Sequence, residues 1–219
     1  MRLTLAILVA LTLATLAVFA LWPQIDLDVA RLFDTAEGFP GRSFLGRAIR
    51  DVFRFLPFVV LAALAALYAL RRFGFAVPWA PTGRALVFLV ATMAVGPGLI
   101  VNLGLKDHAH RPRPVQTAQF GGKFAFRPWY RFDGACERNC SFVSGEVAEA
   151  FWLVAPASLA PPPLRAWTVG AALAFGAVTA LLRVAYGGHY LSDVLLAALF
   201  MLIIVQAARM LAAPRSEPP

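Results

Sequence analysis

Charge is scarce in this chain. Only 15% of its 219 residues are Asp, Glu, Lys or Arg, against 60% hydrophobic residues. That ratio excludes an ordinary soluble domain, in which roughly a quarter of residues are charged. Acidic residues are the rarer kind, 12 against 20 basic ones, which leaves a formal net charge of +8. Such a balance would suit nucleic acid, but no soluble nucleic-acid-binding module is readable. Anionic headgroups or a phosphate-bearing substrate fit better. Cysteine is confined to Cys136 and Cys140. Two cysteines at that spacing lack the partner ligands of a metal site. No internal repeat stands out.

What the chain has in abundance is apolar runs of bilayer length. Six are predicted to span a membrane: about Leu3–Trp22, Phe55–Leu70, Ala85–Leu105, Val143–Ala160, Trp167–Leu182 and Tyr190–Leu211. The expected fold is all-α, a six-transmembrane-helix bundle. Residues 1–213 form one integral membrane domain, because the connections are too short to hold another core, and 214–219 form a disordered, Pro-rich tail. Arg2 before the first run also fits a signal peptide, but the run's length favours a retained anchor. Segment 23–53 alternates apolar and charged residues. It reads as a short amphipathic helix on the membrane surface or as a partly buried loop. The connection from Arg71-Arg72 to Arg84 carries no acidic residue and reads as cytoplasmic. Both termini then lie inside, with 23–53, 106–142 and 184–189 outside. More Lys and Arg fall outside than inside, which argues against that orientation unless the outer cations are kept for chemistry.

Three stretches carry the candidate chemistry. Arg183-Val-Ala-Tyr-Gly-Gly-His189-Tyr-Leu-Ser-Asp193 sets an Arg, a His and an Asp between two apolar runs. His189 and Asp193 are four apart, so on a helix the carboxylate would sit one turn from the imidazole. It could hold one ring nitrogen protonated and leave the other as base, nucleophile or ligand. Taken alone, the same residues read equally as interfacial polar groups capping membrane helices. Lys106-Asp-His-Ala-His-Arg111-Pro-Arg113-Pro114 crowds cations at a membrane boundary, which suits a phosphate or, alternatively, lipid headgroups. Its prolines keep the backbone extended, so the guanidiniums could share one pocket. Cys140-Ser-Phe-Val-Ser144-Gly145-Glu146 opens the fourth run. Ser and Gly at a helix start expose backbone N–H groups to a phosphate oxygen, or simply cap the helix.

Taken in order, Lys106 with Arg113 and Pro114, then Ser144-Gly145, then Arg183, His189 and Asp193 resemble the signature of the type-2 phosphatidic acid phosphatase superfamily. The resemblance runs from the third apolar run to the sixth. It implies a metal-independent lipid phosphatase without a cofactor. His189 would attack phosphorus, Asp193 would orient the imidazole, and Lys106, Arg113, Arg183 and the Ser144-Gly145 backbone would neutralise the phosphate oxygens.

Two positions depart from the superfamily pattern. Glu146 stands where the family has the His that protonates the leaving oxygen, and Leu182 stands where a Ser is common. Glu146 could serve as the acid if it kept a proton, or His108 or His110 could replace it. Alternatively, the site only binds phosphate. The variant Ser-Phe-Val-Ser-Gly-Glu is similar to a bacterial subgroup of lipid A phosphatases, the 4'-phosphatase kind. That resemblance implies a lipid phosphate substrate, multi-pass insertion in a bacterial inner membrane and an active site facing the periplasm. Undecaprenyl diphosphate, phosphatidic acid and phosphatidylglycerophosphate are the alternative substrates. In an oxidising periplasm Cys136 and Cys140 could pair as a disulfide bracing the loop before Ser144, the alternative being two free thiols. Glu149, three residues after Glu146, faces the same pocket or merely sits at a helix start. Trp129, Tyr130 and Phe132 suit an amphiphile or an interfacial belt. Oligomeric state is not legible.

Overall fold

The computed structural model describes residues 1–106 and 108–212, so the tail expected at 214–219 lies outside the described residues. Among those described no β-strand forms, and non-helical pairing is limited to the isolated bridges Thr35–Gly38 and Thr117–Phe124.

The first apolar run becomes α1 (Arg2–Leu21). Its Thr12 and Thr15 return their hydroxyls to the carbonyls of Leu8 and Leu11, both at 2.8 Å, which lets them sit in an apolar helix. After the turn at Pro23, α2 (Gln24–Arg31) buries one face through Asp26 and Ala30. Next, α3 (Phe44–Arg72) starts at a Ser43 cap, whose Oγ accepts from Gly46 N at 3.1 Å. The stretch 23–53, read as a short amphipathic surface helix or a partly buried loop, is divided between α2, the connection to Ser43 and the start of α3. Residues 44–54 extend the membrane helix by three turns, and the four-residue spacing of Arg50 and Arg54 puts both on one face.

Thr82 caps α4 (Gly83–Met93), which continues as wider π-helical turns over Ala94–Leu105. Pro97 lies inside those turns; it has no N–H for the ladder and its ring crowds the preceding turn, and widening relieves both.

The fourth run differs most from its expected form. It makes two short helices, α5 (Gly145–Trp152) and α6 (Val154–Ala157), with the break at Leu153. Pro156 would have to donate to the carbonyl of Trp152, and it cannot. Apart from Glu146, every residue of α5 is buried, and Trp152 donates its indole N–H to Thr92 Oγ1 at 3.0 Å and to the Leu89 carbonyl at 3.2 Å. The segment is therefore enclosed by other helices rather than presented to lipid. Pro162 occupies the first turn of α7 (Pro162–Ala185), and α8 (Leu191–Ala212) is the last of the described elements.

Among the described residues five helices are long and apolar enough to cross a membrane, where six were expected: α1, α3, α4 with its π-helical continuation, α7 and α8. Their outward faces leave residues such as Leu3, Leu13, Val59, Val87 and Leu103 exposed, as a lipid-facing surface requires. The core runs along α5, from Val143 and Val147 through Trp152, against Leu89, Val101, Leu196 and Met201. At one end of the bundle the starts of α3, α5 and α8 meet the ends of α7 and of the π-helical turns. The candidate site lies there.

Candidate active site

His189 precedes α8 and is almost fully buried. Its Nδ1 lies 2.6 Å from the main-chain carbonyl of Ser141. A carbonyl can only accept, so Nδ1 carries the ring hydrogen and Nε2 keeps a lone pair. Burial also pushes the imidazole down to about 3, so the neutral ring persists across the ordinary pH range. A neutral, immobilised imidazole with one free nitrogen has the form a nucleophile needs.

Asp193 does not touch that ring directly, contrary to the i, i+4 expectation. Its Oδ2 is 3.8 Å from Nδ1. Instead it sits in the first turn of α8 and accepts the N–H of Tyr190 at 3.0 Å, which caps the helix. The same oxygen accepts the hydroxyl of Ser141 at 2.5 Å. Asp193 is therefore linked to His189 through Ser141, whose side chain it holds and whose carbonyl holds the ring.

The second carboxylate oxygen takes Arg111 Nη1 at 2.5 Å. Arg111 was grouped in sequence with the phosphate-facing guanidiniums, but it turns inward and is fully buried. Its Nη2 pairs with Asp26 at 2.7 Å, its Nε donates to the Arg127 carbonyl at 2.8 Å, and its guanidinium stacks 4.4 Å over the Tyr190 ring. Asp26 also receives the N–H and hydroxyl of Ser192, at 2.8 and 2.7 Å. Burial raises the Asp26 carboxyl above its usual range, and Arg111 opposes that rise. This arginine thus joins α2 to the start of α8. Sequence patterning could not tell it from Arg113, two residues on.

A cavity of about 330 Å³ opens beside His189 and is lined by Arg50, Arg54, Asn102, Lys106, Arg113, Asn139, Glu146, Glu149 and His189. The structure thus brings Lys106, Arg113, Glu146 and His189 to one cavity. Asn139 arranges two of these cations. Its carbonyl accepts Arg113 Nε and Nη2 at 3.1 and 2.7 Å, and its Oδ1 accepts Arg113 Nη2 at 2.8 Å and Lys106 Nζ at 3.4 Å. It does so with a positive φ of 52°, a backbone state Asn tolerates well. Cys136 and Cys140 are disulfide-bonded across a Cα–Cα distance of 5.7 Å and close the short loop that carries Asn139. Burial, with the like charge of Arg113 next, lowers the Lys106 ammonium to about 8. Gly145 leaves it room, since a Cβ there would come within 2.8 Å of Asn102 Oδ1 and 3.1 Å of Lys106 Nζ.

Arg183 and Ser144 stand behind the cavity lining. Arg183 is buried against Gly188, where a Cβ would meet its Nη2. Among the described residues its Nη1 and the Ser144 hydroxyl have no hydrogen-bond partner, an arrangement suited to an incoming anion. Glu146 lies between the two arginines. Arg50 Nη2 donates to Oε1 at 2.5 Å and Arg50 Nε reaches Oε2 at 3.1 Å, while Arg183 Nε is 3.5 Å from Oε2. His108 and His110, the alternative acids, do not line the cavity. Their Nδ1 atoms face the carbonyls of Gly104 and Cys136 at 2.9 Å. Trp129 serves the fold, donating to the Leu16 carbonyl at 3.2 Å, whereas Tyr130 and Phe132 are exposed. Arg50, Arg54, Asn139 and Asp26 were missed in sequence. Only the Arg50/Arg54 spacing carried a signal, and it needed α3 to begin at Phe44.

The family model of the PAP2 superfamily matches residues 84–215. The chain belongs to the PAP2 superfamily. Lys106, Arg113, Ser144, Gly145, Arg183, His189 and Asp193 all fall inside the matched range, whereas Asp26, Arg50 and Arg54 fall outside it. A lipid A 4'-phosphatase of Rhizobium leguminosarum is 36% identical over 210 residues, covering 89% of this chain and 90% of the relative. One from Rhizobium etli is 37% identical over 210 residues, 89% of this chain and 81% of its own length. A third, from Francisella tularensis subsp. novicida, is 34% identical over 192 residues, 84% and 85% of the two chains. No solved structure matches. With near full-length relatives of this kind, the PAP2 chain is an enzyme, a membrane lipid phosphatase.

Proposed function

We propose that this PAP2 enzyme removes the 4'-phosphate of lipid A at the periplasmic face of the inner membrane through a phosphohistidine on His189. The observation that carries the reading is the neutral, carbonyl-locked imidazole at a cavity walled by Lys106 and Arg113. Near full-length likeness to lipid A 4'-phosphatases points to the lipid.

The phosphate enters beside Lys106 and Arg113 and takes Arg183 over from Glu146. Ser144 Oγ and the free N–H groups at the start of α5 complete its shell. His189 Nε2 then attacks phosphorus as the bond to the sugar oxygen breaks, and Ser141 and Asp193 hold the ring in line. Water hydrolyses the N–P bond and releases phosphate. Dispersed positive charge is what such a transition state requires. The Cys136–Cys140 disulfide supports a periplasmic site, and the purely basic connection between α3 and α4 supports a cytoplasmic opposite end. In that topology α5 and α6 carry the chain back through the bundle as a sixth, protein-enclosed pass.

Mass spectrometry of lipid A after incubation with the purified protein in detergent and EDTA tests the reading. We expect loss of one phosphate, assigned to the 4' position by fragmentation, with wild type and not with His189→Ala. Loss from undecaprenyl diphosphate or phosphatidic acid alone would reassign the substrate. Equal loss with His189→Ala would refute the phosphohistidine.

A further inference from the structure

The proposed reaction expels a sugar alkoxide, and the leaving oxygen needs a proton that His189 cannot give. The family's acid position holds Glu146, whose two oxygens are engaged by Arg50 and whose Oε2 also faces Arg183. A carboxylate between two guanidiniums is stabilised as the anion and has no proton to donate. His108 and His110 do not line the cavity, and their Nδ1 atoms are engaged by main-chain carbonyls.

Glu149 lies one helical turn further on the same face of α5 and lines the same cavity as His189 and Lys106, with only 9% of its surface exposed. Among the described residues its carboxyl has neither a hydrogen bond nor an ion pair. A second negative charge one turn from ionised Glu146 is costly in such a setting, so one of the two carboxyls keeps a proton. The arginines decide which. Lys106 and Arg54, which line the same cavity, oppose this, but Lys106 reaches toward Asn139 and Arg54 is largely exposed. A bound phosphate dianion neutralises Lys106 and Arg113 and adds negative charge beside Glu149. Substrate binding therefore strengthens the preference.

We propose that Glu149, not Glu146, is the general acid–base of this site. The inference rests on the phosphohistidine reading above. In the first step the N–P bond forms at His189 Nε2, the P–O bond breaks, and the Glu149 proton passes to the departing sugar oxygen, leaving an alcohol and a carboxylate. In the second step Glu149 takes a proton from water as the water oxygen bonds phosphorus and the N–P bond breaks. This restores neutral His189 and protonated Glu149 and frees phosphate. Glu146 acts instead as a positioning residue for Arg50 and Arg183.

The test compares Glu149→Gln, Glu146→Gln and His189→Ala, purified in detergent, on the lipid and on an aryl phosphate whose leaving group needs no proton. For Glu149→Gln we expect turnover of the lipid to fall on the order of 10²–10⁴-fold. The aryl phosphate should still give a near wild-type burst of one equivalent of phenol, followed by slow turnover and an accumulating acid-labile phosphoprotein. Glu146→Gln should lose activity to a similar degree on both esters, without that accumulation. A burst lost in proportion to lipid turnover in Glu149→Gln, or unchanged lipid turnover, would overturn the proposal. If Glu149→Gln fails to fold, the Glu146→Gln arm decides. Leaving-group-dependent loss there refutes the assignment, and equal loss on both esters supports it. Wild-type turnover by His189→Ala would instead defeat the phosphohistidine reading itself.

Discussion

The ammonium of Lys106 gives the sharpest prediction, because it moves activity and stability in opposite directions. Burial and the neighbouring Arg113 lower it from 10.5 to about 8. The free enzyme therefore loses this charge as pH rises through about 8, while Arg113 and Arg183 stay charged. A hydrogen bond to a charged group is worth about 1.5–3 kcal/mol, or on the order of 10–150-fold. On an aryl phosphate, whose leaving group needs no proton from Glu149, we expect kcat/KM to fall from pH 8 upward and to level off lower by about that factor. Stability runs the other way. Between about pH 8 and 10.5 the unfolded chain still binds the proton that the folded protein has released, so stability rises with pH across that window. The shift sets an upper limit of about 3 kcal/mol on that gain. Measuring kcat/KM from pH 6 to 10 beside thermal melts in detergent would show both trends in wild type. Lys106→Arg, charged throughout, should keep kcat/KM level to pH 10 and lose the alkaline gain in stability. A Lys106→Arg profile that still falls near pH 8 would refute the reasoning.

Three further outcomes follow from the same geometry. Asn139→Ala should raise KM about tenfold by freeing Lys106 and Arg113; Cys136→Ser with Cys140→Ser should do the same, and adding it to Asn139→Ala should cost little more in a double-mutant cycle. Asp26→Ala should lower stability by about 3–5 kcal/mol, because it leaves buried Arg111 short of a partner, and a melt shifted no more than that of an exposed Asp28→Ala control would contradict this. Gly188→Ala should push Arg183 off its seat and lower kcat/KM at least tenfold with little change in the melting temperature, as steady-state assays at fixed pH would show.

The linear part of the site was readable because its spacing survives in one dimension. Residue type and interval are enough to group Lys106, Arg113, Ser144, Gly145, Arg183, His189 and Asp193 as candidates. What spacing cannot give is direction. Arg111 and Arg113 flank the same proline, yet one lies in a closed ion-pair network and the other on the cavity wall. The His189–Asp193 interval suggested direct contact, but His189 lies just outside the helix and Ser141 stands between them. Arg50 was hidden because an arginine in an amphipathic stretch reads as interfacial until the helix start is known. The broken fourth run did carry a local signal in Pro156. Its apolar length outweighed that signal, since buried and lipid-facing helices have the same composition.

The Asp26–Arg111–Asp193 network bears on what counts as the enzyme's smallest working unit. The family match begins at residue 84, yet Asp26 comes from the second helix and Arg50 from the third. A protein trimmed to the matched borders, or a chimera exchanging everything before residue 84, would inherit His189. It would also inherit an interior guanidinium stripped of one counter-charge and a Glu146 released from its stronger clamp. The first 83 residues are therefore structural partners of the catalytic half, and they can be exchanged only together with the acidic and basic side chains they deliver.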